Sequence, residues 1–184
     1  MFGLRKPKSV KHKGQRLSEI LESHVKFAKR EAGGVCADLA GADISKCDLR
    51  AHNLTGAVFA GANLEGSDLR QAKLTRANFS GANLRGADLR NCDMTESNFS
   101  GADLTEAQIS GVELFRVDLS GAVLHRANCR GTNFRGTNVD GADFRGADLN
   151  IAVLKGCDWK HAKMEGALVE TALLYGPVPI EKKS

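Results

Sequence analysis

Large rings are scarce in this chain: eight Phe, one Trp and one Tyr among 184 residues. That scarcity excludes a core packed around clustered aromatics and points to one assembled from many small, similar pieces. No apolar run is long enough for a membrane-spanning helix, and the N-terminus has charges but neither an apolar stretch nor a small-residue cleavage site. A soluble cytoplasmic protein is the expectation. The five cysteines and the scattered histidines show no Cys/His pairing at ligand spacing, so no metal site is predicted and no cofactor is expected. Glycine-containing runs such as residues 81–86, GANLRG, do not sit at strand-to-helix junctions and are not read as phosphate loops. Catalysis needs converging groups in a cleft, and none is visible, so an enzyme is not expected.

Charge is present but unevenly spread. Residues 1–31 hold nine Lys/Arg against three acids, whereas residues 36–176 hold fifteen against eighteen. The formal charge of +4 is therefore an average over a basic N-terminus and a slightly acidic middle.

What dominates the chain is a repeat. From Leu39 to Leu174 every fifth residue is apolar over twenty-eight consecutive positions, with Cys129 the one small member. Two residues earlier stands Ala in eighteen of the twenty-eight, and two residues later Gly in sixteen. The unit is A-(D/N)-(L/F)-x-x. A period of five fits neither a helix nor a plain strand, so the chain must turn every five residues. With the large and the small apolar residue both inward, the Asp/Asn between them and the two following positions face out. Four such sides close a coil of twenty residues. Columns twenty apart agree with that count: Phe59, Phe79 and Phe99 share one, and Gly41, Gly61, Gly81, Gly101, Gly121 and Gly141 share another, at a corner suited to positive φ.

These residues resemble the pentapeptide-repeat family, whose motif is A-(D/N)-L-x-x. The resemblance spans residues 36–176 and implies an all-β solenoid, a right-handed quadrilateral parallel β-helix of about seven coils. Such a rod needs its ends covered. Residues 15–35 place Leu17, Ile20, Leu21, His24, Val25 and Ala28 at helical spacing with Gly33-Gly34 as a stop, predicting an amphipathic capping helix with His24 on its apolar side. Residues 1–14 are expected to be a disordered basic tail, with nucleic acid, acidic protein or anionic lipid as alternative contacts. Residues 177–184 are expected to be a C-terminal tail.

Candidate functional residues lie where the repeat leaves positions free. Outward Arg50, Arg70, Arg90 and Arg130 fall in one column, with Ser110 interrupting, beside Asp48, Asp68, Asp88 and Asn128. They read either as a ladder for a polyanion or as charges neutralised by the neighbouring Asp column. Phe115 turns outward, to be packed on the stem of Arg116 or Arg135 or presented to a partner. Leu168, Leu173 and Tyr175 occupy outward positions on the last coil, and the resemblance implies a homodimer there. His52 stands in a small-residue slot, displaced outward or hydrogen-bonded. Cys47, Cys92, Cys129 and Cys157 fall in inward slots, and only Cys36 is expected to be exposed.

Three functions are compatible with these residues. One is a non-enzymatic scaffold or protein–protein interaction module with an unidentified partner. A second, implied by the resemblance, is a DNA mimic that binds type II topoisomerases such as gyrase, as quinolone-resistance members do. Its charge requirement is met poorly, and the loop insertions some of those members use are absent. The third is nucleic-acid or other polyanion binding through the basic tail and the Arg column.

Overall fold

A computed structural model describes residues 3–173. Backbone pairing between residues twenty apart runs along the chain from Asp38↔Val58 to Val153↔Leu173, all of it parallel. The coil has four sides, numbered here from their first inward residues: Leu39 (side 1), Ile44 (side 2), Leu49 (side 3) and Leu54 (side 4). On each side the inward Leu, Phe, Ile, Met or Trp is buried, and so is nearly every small residue two positions earlier.

The remaining three positions of the unit have their own physical causes. The Asp or Asn accepts a hydrogen bond from the backbone N–H two residues on, as in Ser45 N–H to Asp43 Oδ1 at 3.1 Å and Ser80 N–H to Asn78 Oδ1 at 3.0 Å. This Asx turn bends the chain at the corners where Asp or Asn stands. The position two after the large residue takes positive φ through Gly156, whether or not it is glycine: 63° at Gly61, 58° at Arg76, 60° at Asn91 and 55° at Ile151. Ile151 is the β-branched exception in a conformation that favours glycine.

Small slots that are not Ala satisfy their polar atoms inside the rod. Ser67 donates to Leu64 O at 2.7 Å, whereas Thr132 and Thr137 donate to the coil below, to Ile109 O at 2.6 Å and Leu114 O at 2.8 Å. His52 is half-buried with Nδ1 3.0 Å from Arg50 O, so the hydrogen-bonded alternative holds. Cys47, Cys92 and Cys129 are buried, but Cys36, expected to be exposed, is half-buried with Sγ 3.3 Å from Gly56 O. Burial pushes the Cys47 thiol up to about 11 and that of Cys92 to about 12.

The first coil is covered by the N-terminal segment. The helix α1 spans Leu17–Ala28 and opens with Arg16 N–H donating to Glu19 Oε2 at 3.2 Å. It buries Leu17, Leu21 and His24. His24 is wholly buried, and its Nδ1 accepts the N–H of Ala37, the first small slot, at 3.0 Å. Arg30 takes the left-handed turn after the helix, and Gly34 then passes so close that a Cβ there would lie 2.2 Å from Phe27 N.

Residues 3–14 differ from the expected disordered tail. Pro7–Ser9 form a 3-10 turn, β1 (Lys11–His12) and β2 (Gln15–Arg16) form a hairpin around Lys13-Gly14, and Val10 is buried in the core. Arg5 pairs in parallel with Cys47, its N–H donating to Lys46 O at 2.6 Å and its O accepting Asp48 N–H at 2.9 Å. It thus fills the place of a preceding coil on side 3, satisfying an edge that would otherwise be open.

Candidate interaction surface

The Arg column is a zipper of ion pairs. Arg50 reaches Asp48 with Nε and Nη2, both at 2.8 Å; Arg70 reaches Asp68 at 2.9 and 2.7 Å; Arg90 reaches Asp88 at 2.9 and 2.7 Å. Each fork grips the carboxylate two residues before it. Arg50 and Arg70 also lie 3.6 Å from the Asp of the next coil, Asp68 and Asp88. Arg130 stands apart beyond the Gln108/Ser110 coil; with Asn128 below it, it turns to Asp148 at 3.3 Å. The neutralised alternative is therefore the one the side chains adopt. Hydrogen bonds from Arg50 hold Asp48 far below the usual carboxylate range, and the Asp48 partner raises Arg50 in turn.

Side 2 carries a related cluster. Asp143 is gripped by Arg145 at 2.9 and 2.7 Å and approached by His125 Nε2 at 2.9 Å. Burial alone would raise its carboxyl, but the hydrogen bonds from Arg145 and His125 outweigh it and bring it down to about 2.

Three of the six Lys/Arg of residues 3–16 are engaged by carboxylates of the first coil. Lys13 reaches Asp38 at 2.8 Å, Lys6 reaches Asp48 at 3.2 Å, and Arg5 lies 3.6 Å from Asp43. Three cations of the supposed arm thus cover the outward acids of the first three repeat units. Sequence reasoning missed this, since the partners lie 25 to 42 residues away.

Apolar exposure falls at three places, the first being Phe27 and Val35 at the N-terminal end of the rod. Phe115 on side 4 is exposed, with Arg116 Cζ 5.0 Å above its ring; of the two stems considered for it, Arg116 is the one in place. Leu168 and Leu173 are exposed on the last described coil, joined by Ile151, which the repeat pattern did not single out. The available signal was a large β-branched residue at a corner where Gly is commonest. Tyr175 lies outside the described residues, as does the expected tail 177–184. Among the described residues no cluster of three or more His, Cys, Asp or Glu is arranged to hold a metal ion, and no helix is long and apolar enough to cross a membrane.

The profile of pentapeptide repeats matches residues 37–76, 72–111 and 113–150, in eight copies. No curated protein sequence matches the chain. Among solved structures it is similar to a trypsin-treated variant of QnrB1, a plasmid-mediated fluoroquinolone resistance protein. The identity is 25% and the TM-score 0.65, over 74% of this chain and 69% of that one. Full-length QnrB1 gives 22% identity and a TM-score of 0.58, over 73% of this chain and 74% of that one, a likeness of fold alone. These structures imply a right-handed β-helix. Matched over more than half its length by that profile, the chain belongs to the pentapeptide-repeat family.

Proposed function

We propose that the protein is a non-enzymatic scaffold that presents the sides of a rod to a protein partner. The observation that supports this is the commitment of its charged groups to one another: Arg50, Arg70, Arg90 and Arg145 each hold a carboxylate in a two-pronged grip. Groups so engaged form a rigid surface rather than a reactive site. On this reading residues 15–35 cap a rod of about seven coils at 36–176. Two copies join through the exposed Leu168 and Leu173, with Tyr175 completing the contact. Five unpaired thiols suit a reducing compartment, so we place the protein in the cytoplasm. Affinity capture from the native host tests the scaffold reading: a stoichiometric protein partner supports it, and recovery of nucleic acid in place of protein would count against it.

The likeness to QnrB1 favours a second reading, a gyrase-binding DNA mimic. Weak electrostatic steering is the argument against it, since the repeat region sums to only about −3 from fifteen cations and eighteen acids. Gyrase supercoiling with a quinolone, with and without the protein, separates the two. Unchanged inhibition fits the scaffold alone; relief of inhibition fits the mimic. Polyanion binding through the tail and Arg column is disfavoured, because Arg5, Lys6, Lys13, Arg50, Arg70 and Arg90 would have to leave Asp43, Asp48, Asp38, Asp68 and Asp88.

A further inference from the structure

Side 4 departs from the rest of the rod at a single coil. Its outward position after each inward residue holds Thr55, Thr75 and Thr95, and then Phe115, Arg135 and Lys155. Every other Phe and the Trp of the described repeat units lie inward, whereas Phe115 is 48% exposed.

The same coil has lost a rung of its ladder. Leu74 N–H donates to Asp93 O at 2.7 Å below it, and Leu114 N–H to Asn133 O at 2.9 Å above it. The corresponding bond from Met94 to Glu113 is missing, and Asp93 and Glu113 do not pair, although the flanking Lys73↔Asp93 and Glu113↔Asn133 do. Beneath the gap lies a void of about 10 Å³ lined by Met94, Leu114 and Val117, among others.

The charges around Phe115 are arranged asymmetrically. Arg116 lies over the ring and is 3.4 Å from Glu96, which also holds Arg76 at 2.7 Å. Glu113 is occupied by Asn133 Nδ2 at 2.7 Å. Arg135, one coil on, has no acidic partner among the described residues. Its stem lies over Gly156, where a Cβ would come 3.6 Å from Arg135 Cγ. An exposed ring therefore has a cation on one side, and the backbone of Arg135, whose guanidinium has no acidic partner among the described residues, lies about one strand spacing, roughly 4.8 Å, along the rod, with its stem directed over Gly156.

A merely solvated side requires none of this, since Thr in the same column coexists with an intact ladder on the coils below. Local departures from a fold's own rule tend to mark contact sites. We propose that Phe115, Arg116 and Arg135 form the docking site for an acidic, apolar-containing segment of a partner protein. This rests on the scaffold reading above. An apolar side chain covers the free part of the Phe115 ring, and a carboxylate meets the Arg135 fork bidentately. Aromatic and Arg side chains are the residues on which such contacts usually concentrate. A nucleic-acid strand fits less well: Arg116 is already on Glu96, and Glu96 and Glu113 flank the ring, so the patch offers no run of cations to follow a phosphate backbone.

The test uses the full chain and three fluorescent probes: a peptide alternating Asp and Leu, an all-Glu peptide of equal charge, and an oligothymidylate. Anisotropy titrations compare the wild type with Phe115→Thr, which restores the residue type of its own column, and with Arg135→Ser. Unchanged thermal melts establish that both variants fold. The expected result is saturable binding of the Asp/Leu peptide, weakened at least tenfold by either variant, with the all-Glu peptide at least tenfold weaker than Asp/Leu. Failure of the Asp/Leu peptide to bind, equal binding of the all-Glu peptide, preference for the oligothymidylate, or indifference to both variants would overturn the proposal. A partner captured from the host equally by wild type and both variants would also overturn this site while leaving the scaffold reading standing.

Discussion

In the N-terminal half of the rod Phe59, Phe79 and Phe99 stack nearly parallel, their centroids 4.6 and 4.7 Å apart and their planes 3° and 8° from one another. In the C-terminal half Phe134, Phe144 and Trp159 come from three different sides and meet edge-on or tilted, at 5.3 to 5.6 Å. The repeat is the same, but the side-1 column changes from Phe at 59, 79 and 99 to Leu119, Val139 and Trp159. Val139 is smaller than the Phe residues of its column, and in this half Phe134, Phe144 and Trp159 contact one another across the coil. The small void lies where one packing gives way to the other, between Phe99 and Leu119. A strict backbone period thus tolerates two interiors, provided that each coil is filled by the one stacked on it.

A second contrast separates the sides. All seven small slots of side 2, from Ala42 to Ala162, are Ala, and its pairing is continuous from Asp43↔Asn63 to Asp143↔Lys163. Side 4 stacks Cys92, Val112 and Thr132, and its ladder breaks between 93 and 113. Side 1 runs Ser97, Val117, Thr137 and Cys157 and loses the pairing of 138 with 158. Two larger residues in adjacent coils are absorbed on side 3, where Cys47 and Ser67 stack and Asp48↔Asp68 still pair; both breaks fall inside longer runs, one pairing in each, while Glu113↔Asn133, Asn98↔Asp118 and Asp118↔Asn138 are kept.

The largest expected effect comes from emptying the regular half. Phe79→Ala should cost about 3 to 5 kcal/mol in a chemical melt, because the ring is sandwiched between two others and little can collapse into its place. A loss below about 1 kcal/mol would show that the parallel stack carries no weight. Next comes acid. The unfolded Asp143 carboxyl titrates near 3.9, and in the fold it is held down to about 2. Its contribution, on the order of 2 kcal/mol, is therefore present above pH 4 and lost as the pH falls from about 4 to 2. Asp143→Asn should flatten that part of the stability-versus-pH curve. A bulkier residue on the all-Ala side, Ala82→Val, should cost about 1 to 3 kcal/mol and weaken the rung at Asn83. A variant as stable as wild type would break the link between slot size and ladder. Smallest and of opposite sign is Ile151→Gly. Relief of a β-branched residue at positive φ should gain about 1 kcal/mol, read as a higher melting temperature.

Much of this was legible in the sequence, because one five-residue period fixes which residues face inward and a twenty-residue coil fixes what stacks on what. That register also set the Arg column beside the Asp column, leaving neutralisation as one of two alternatives, between which the side-chain distances decide. The N-terminal segment did not. Its order depends on Arg5 finding the edge at Cys47 and on Lys6 and Lys13 finding Asp48 and Asp38, contacts that no local pattern announces. Phe115 was legible as an outward ring, but the missing rung beside it was not, since the repeat continues through 93 and 113 without a break in its pattern.

Amide hydrogen exchange along the rod tests the central claim, that crowding in the small slots of side 4 opens the ladder beside Phe115. On side 2 the amides of Asn63, Asn83 and Asp103, each 2.9 Å from its acceptor, should exchange slowly. Those of Met94 and Glu113 should exchange at least a hundredfold faster than Leu74 and Leu114 on the flanking coils, and Val112→Ala should slow them. Equal protection of Met94, Glu113, Leu74 and Leu114 in the wild type would contradict the account.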